Sequence, residues 1–199
     1  MLALFNSINS AVCGALGINT YLQGVIIMVC INTIAVLGMS VLTGFTRLFS
    51  FGNAGFMSIG AYTAAILTVK FNVNFLLAII LGALFAGFIA FLLGSITLRL
   101  KGDYFLITCL GFGECVRVLF NYTKNITGGS TGYPGIPAYS NALFSLVCVV
   151  LAFFAAWRFI HSKYGRNLTS IRENEMAAEA VGINAFRVKR MSFVFSAIY

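Results

Sequence analysis

Charge is what this sequence is shortest of: Asp, Glu, Lys and Arg make up 9% of the residues, against about 25% in soluble domains. Ten of the 18 charged residues lie between Arg158 and Arg190, so the other 166 positions share eight. There is one histidine, His161, and one aspartate, Asp103. The five cysteines (Cys13, Cys30, Cys109, Cys115 and Cys148) form no CxxC pair. These shortages leave no cluster that could hold a metal and no acid–base constellation, so neither a metal site nor a catalytic residue is assigned. The cysteines lie mostly in apolar runs, where cysteine acts as a small hydrophobe, and no disulfide is expected. Residues 1 to 46 carry no charge at all. That excludes the basic region of a signal peptide and leaves a weakly apolar lead-in.

What is abundant is apolar surface. Hydrophobic residues reach 60%, above the roughly 45–50% of soluble domains, and no aqueous fold could hide them. The expected fold is an all-α, polytopic transmembrane helical bundle in a lipid bilayer. The net charge of +8 does not indicate nucleic acid. Seven of the 13 basic residues sit in one segment with three glutamates, the pattern of a loop held on the cytoplasmic side.

A span needs roughly 20 apolar residues for a ~30 Å core. Runs of that length occur at 21–43, 51–69, 74–98 and 142–160, and a fifth at 104–122 is interrupted by Glu114 and Arg117. With all five crossing and the loop at 161–190 inside, ten basic residues lie inside against Lys70 and Lys124 outside. Without the fifth, the count is eight against four, so the positive-inside bias favours five spans. A sixth run opens at Met191 and has nine residues to Tyr199, ~14 Å of helix. A helix stopping in mid-bilayer would leave carbonyls unsatisfied, so the natural product is expected to continue. Small residues at helical spacing mark two spans, Gly82, Ala86, Ala90 and Gly94 in one and Ala54, Ser58, Ala61 and Ala65 in the other. Such stripes let helices pack closely within one bundle; a dimer seam is the alternative. Residues 123–141 hold both prolines, Pro134 and Pro137, and four glycines, which reads as an ordered outer loop.

Within the basic loop, Ser170-Ile171-Arg172-Glu173 has the S-x-x-E form of a capping box, and Gly182 is a natural helix stop. The spacing predicts a short amphipathic helix from Ser170 to Val181 with Ile171, Ala178 and Val181 on one face. From pattern alone it could equally be a plain surface helix linking two spans.

The run from Tyr164 to Asn184, YGRNLTSIRENEMAAEAVGIN, resembles the cytoplasmic loop of membrane subunits of branched-chain amino-acid ABC importers, including their version of the EAA signature, with Met176 where the general signature has glutamate. Three further stretches agree: Leu42–Phe45 with Ser50–Phe56 and Gly60–Ala65, then Leu98–Phe105 with Gly111–Glu114, and the glycine loop Thr127–Gly132. The resemblance implies a multi-pass permease of a bacterial cytoplasmic membrane, without enzyme activity or cofactor of its own. Its implied partners are cytoplasmic ATPase subunits carrying ATP and Mg, a second permease subunit and an extracytoplasmic substrate-binding protein. It further implies an ATPase-coupling helix, to which Arg166, Ile171, Arg172, Glu173, Glu175, Ala177, Ala178, Glu179 and Gly182 are assigned. Ala177, Ala178 and Gly182 would allow close docking there, while Glu175 and Glu179 would meet basic groups.

Glu114 lies 11 residues beyond Asp103, about 17 Å into the core of a straight helix. Arg117, three residues on, shares its face and can pair with it. Ionisable groups at that depth mark a functional site by default. Glu114 and Arg117 therefore line a substrate passage or brace two helices, and Gly111 and Gly113 are placed to loosen the helix beside them. Asn32 and Asn53 are weaker pathway residues, each expected to bond a neighbouring helix. The function expected is import of branched-chain or other hydrophobic amino acids; the alternatives are urea or short amides within the same family, or a secondary carrier or channel without an ATPase.

Overall fold

The computed structural model describes residues 19–46, 50–100, 103–129, 132–133, 135 and 141–199. Among these residues every regular element is a helix. They are α1 (Thr20–Thr46), α2 (Asn53–Lys70), α3 (Phe75–Thr97), α4 (Asp103–Tyr122), α5 (Lys124–Thr127), α6 (Ala142–Ile160), α7 (Lys163–Glu173), α8 (Glu175–Ala180) and α9 (Ala185–Ile198). Residues 1–18, Arg47, Leu48, Lys101, Gly102, Ser130, Thr131 and both prolines, on which parts of the sequence reading rest, lie outside the described residues.

Four helices are long and apolar enough to cross a membrane: Tyr21–Thr46, Phe75–Thr97, Tyr104–Tyr122 and Ala142–Ile160. Their apolar side chains point outward. Along α3, Ile80, Leu84, Phe88, Leu92 and Ile96 are all exposed, a stripe that water would not tolerate and hydrocarbon solvates. The span expected at 51–69 folds as α2, an 18-residue helix of ~27 Å; with Asn53 and Lys70 at its ends it is not among those four.

α3 packs most extensively on α2 and α9, α1 packs on α6 and α9, and α4 lies across α2. The α3 stripe is buried as expected, and it serves packing within this chain: Gly82, Ala86, Ala90 and Gly94 face inward. A Cβ on Gly82 would stand 2.7 Å from the Gly60 carbonyl oxygen, and one on Gly94 3.0 Å from the Phe193 ring. On α2 the expected stripe packs only in part: Ala65 is buried and Ser58 half-buried, but Ala54 and Ala61 are exposed, and Gly55, Phe56 and Ile59 are buried instead. Small residues occur on both faces of α2, so spacing alone could not fix which one packs.

Phe193 on α9 sits at the centre of the core with Leu42 (α1), Phe56 (α2), Ala90 (α3), Phe105 and Cys109 (α4). Its ring meets Phe56 at 5.5 Å and Phe105 at 6.0 Å, both edge-on. α9 begins earlier than the apolar run suggested. Asn184 caps it by accepting from the Arg187 amide at 3.0 Å, and Arg187, Lys189 and Arg190 occupy its first turns and hid its start. Arg190 lies 4.5 Å above the Phe91 ring, joining α9 to α3. The loop after α4 forms one helical turn, α5, ended by Gly128 at φ 76°; Thr127 ties it back by donating to the Phe120 carbonyl at 2.6 Å.

Candidate functional site

Two places carry the residues singled out by sequence: the loop between α6 and α9, and the outer face of α4. In the loop, α6 turns into α7 through His161 and Ser162, with the His161 ring Nδ1 2.9 Å from the Trp157 carbonyl. The turn is so tight that a Cβ on Gly165 would collide with the Ile160 carbonyl. Leu168 and Ile171 then fall on the buried face of α7 and join Ala178, Ala185 and Val188 in a second, smaller core, against which Phe45 and Phe159 pack.

The predicted helix from Ser170 to Val181 is in fact two. Ser170 lies inside α7, where its hydroxyl donates to the Arg166 carbonyl at 3.1 Å, so the capping box is not formed. Burying Leu168 and Ile171 together carries α7 past Ser170, and the break falls at Asn174. Its extended backbone (φ −154°, ψ 108°) and its carboxamide, accepting from the Ala177 amide at 3.1 Å, start α8; Asn is among the strongest N-caps. Gly182 ends α8 as expected, at φ 90°. Its amide donates to the Glu179 carbonyl at 2.9 Å and the Ile183 amide to Ala178 at 3.0 Å, the paired bonds of a Schellman stop.

This geometry sorts the nine nominated residues. Ile171 and Ala178 are buried in the small core and tie α7 and α8 together from inside. Arg172 donates to the Gly44 carbonyl at the end of α1 at 2.9 Å and lies 3.5 Å from Glu173. A cation at a helix carboxyl end is favourably placed. Glu175 pairs with Lys189 of α9 at 2.6 Å, so this carboxylate is already engaged within the chain. Arg166, Glu173, Ala177, Glu179 and Gly182 are exposed. Sequence reasoning missed Met176, 81% exposed, and Val181, 82% exposed, which form with Ala177 and Ala180 an outward apolar edge. Val181 had been expected on the face of Ile171 and Ala178; the break at Asn174 turns it outward. The signal for both was an apolar side chain in a charged loop.

On α4, Glu114 and Arg117 do pair, Arg117 Nε to Glu114 Oε2 at 2.9 Å, with Arg117 70% and Glu114 55% exposed. They border a groove of about 430 Å³ between α2 and α4 with Ser58, Tyr62, Phe120 and Asn121. Asn121, four residues beyond Arg117 and so on the same face, could have been found from that spacing. The helix is unbroken from Asp103 to Tyr122. Gly113 does not loosen it. A Cβ on Gly55 would lie 3.2 Å from the Gly113 Cα, so this pair of glycines brings α2 and α4 together. Asn53 borders a separate cavity with Ser196 and Tyr199. Asn32 donates to Met28 of its own helix at 3.0 Å, rather than to a neighbour. The structure thus unites Glu114 and Arg117 and separates them from both asparagines.

Residues 21–199 match the family described as branched-chain amino acid transport system / permease component. The high-affinity branched-chain amino acid transport system permease protein LivM of Salmonella typhimurium is 33% identical over 86% of this chain and 48% of its own length. LivM of Escherichia coli is 33% identical over 82% of this chain and 46% of its own. The probable branched-chain amino acid transport permease protein LivM of Methanocaldococcus jannaschii is 32% identical over 57% and 38%. The chain thus spans about half the length of the first two relatives or less. No solved structure matches it significantly. With apolar helices long enough to cross a bilayer and a family match over nearly its whole length, this chain is a multi-pass membrane protein and belongs to the branched-chain amino acid transport permease family.

Proposed function

We propose that the chain is a membrane-spanning subunit of an ATP-driven importer of branched-chain or other hydrophobic amino acids in a bacterial cytoplasmic membrane. All five long helices cross, with α7 and α8 on the cytoplasmic side. Partner ATPase subunits bind ATP and Mg, close together and push on α8; a second permease subunit and an extracytoplasmic binding protein complete the path. Family membership supports the substrate class.

The observation that carries the coupling role is the outward apolar edge of α8, Met176, Ala177, Ala180 and Val181, on a helix tied to the bundle through Ala178 and the Glu175–Lys189 pair. Four exposed small or flexible apolar side chains in a charged loop suit a groove on a soluble partner. Glu179, exposed and without an ion pair among the described residues, is free to orient the contact.

The test is a photo-crosslinking residue in place of Met176, in membranes containing the assembled transporter. The expected product joins this chain to an ATPase subunit, and the yield changes when ATP is trapped. Capture of no ATPase, or leucine uptake driven by an ion gradient without ATP, would overturn the reading.

A further inference from the structure

Residue spacing puts Glu114 about 17 Å along a straight α4, and an ion pair at that depth, more than half exposed on this chain, is not expected to face hydrocarbon. On the transport reading above, Glu114 and Arg117 face the passage and meet water or a ligand with charges of its own there. Held 2.9 Å apart, they offer an acceptor and a planar donor side by side. A zwitterion matches both, its carboxylate on the Arg117 guanidinium and its ammonium on Glu114.

Across the α2–α4 seam lies a second cavity, open to the surface, of about 470 Å³, bordered by Ile59, Ile66, Phe85, Ile89, Cys115 and Leu119, of which Phe85, Cys115 and Leu119 are exposed. It is apolar where the first groove is charged. Two side chains, Tyr62 and Phe120, border both spaces, with their rings 4.4 Å apart. Towards the start of α2, α2 and α4 approach closely at Gly55 and Gly113, and Tyr62 and Phe120 stand between the two spaces.

We infer that the charged groove and the apolar cavity are the head and tail subsites of one site for a zwitterion with a branched apolar side chain, with Tyr62 and Phe120 as the partition between them. This rests on the transport reading above and adds to it the residues that select the substrate. The head subsite treats all amino acids alike, whereas the tail subsite distinguishes their side chains.

The experiment measures ATP-driven uptake of L-leucine, L-alanine and L-phenylalanine by membrane vesicles holding the assembled transporter. Cys115→Trp fills the tail cavity and lowers the leucine-to-alanine ratio of kcat/KM by about tenfold, the low end of what one or two methylenes confer. Phe85→Ala enlarges it and raises phenylalanine relative to leucine. Arg117→Gln raises KM for all three substrates together, and Arg117→Lys restores part of the loss. Val150→Trp, on the exposed face of α6, leaves every ratio unchanged. If Cys115→Trp does not reach the membrane, Phe85→Ala decides alone. Transport with ratios unmoved by the cavity variants would overturn the inference and leave the transport reading intact. The same holds if those variants only displace a co-purifying phospholipid, since the cavity then holds an acyl chain. Absence of uptake by the unaltered assembly would overturn both.

Discussion

Gly182 is the residue on which the end of α8 most directly depends. Its φ of 90° is a conformation that any side chain resists by about 1 kcal/mol or more, yet nothing lies within 4 Å of where a Cβ would stand. The strain is therefore conformational and not steric, and it falls on the stop of α8 alone. Gly182→Val is expected to insert and assemble normally while amino-acid uptake falls at least tenfold, read as uptake per unit of membrane-inserted protein. Uptake undiminished at equal abundance would remove the coupling role. Asn174 works at the other end of the same helix through one hydrogen bond to Ala177; Asn174→Ala removes it at a cost of about 1 kcal/mol, a milder version of the same defect.

Among the elements, the α6–α7 elbow and the interior of α4 answer glycine replacement in opposite ways. A methyl group at Gly165 has no room, because the Ile160 carbonyl occupies its place. Gly165→Ala is expected to spread the elbow, pull Leu168 and Ile171 from the small core and abolish monodisperse protein in detergent-exchange gel filtration. At Gly111 nothing lies within 4 Å, and Gly111→Ala is expected to leave the elution profile unchanged and to stabilise α4 by up to about 1 kcal/mol. The contrast shows what was legible in the sequence. The long apolar runs gave the five long helices within a few residues, and the Glu114–Arg117 spacing gave their ion pair, because length and helical period are local properties. The break at Asn174, the early start of α9 and the packing face of α2 were not legible. Each is decided by what the segment lies against: Leu168 and Ile171 against Val188, Arg190 against Phe91, Gly60 against Gly82.

At the scale of the whole molecule, one residue joins most of the bundle. Phe193 is 1% exposed and shares one core with side chains of helices α1 to α4, so Phe193→Ala opens a cavity among them. The expected cost is about 3–5 kcal/mol, seen as a lower aggregation temperature of the detergent-solubilised protein and as loss of uptake together. A temperature unchanged from the parent would mean the bundle is held elsewhere. Stability and transport are thus expected to fail jointly at Phe193 but separately at Gly182.

The tether from Arg172 to the Gly44 carbonyl and the bond from Lys189 to Glu175 have a mechanical consequence. The first holds the end of α7 to the foot of α1, and the second holds the start of α8 to the flank of α9, on either side of the break at Asn174. If α8 is the coupling helix proposed above, a thrust at Met176 is expected to pass through Ala178 and Glu175 to α7 and α9 before it reaches the longer helices.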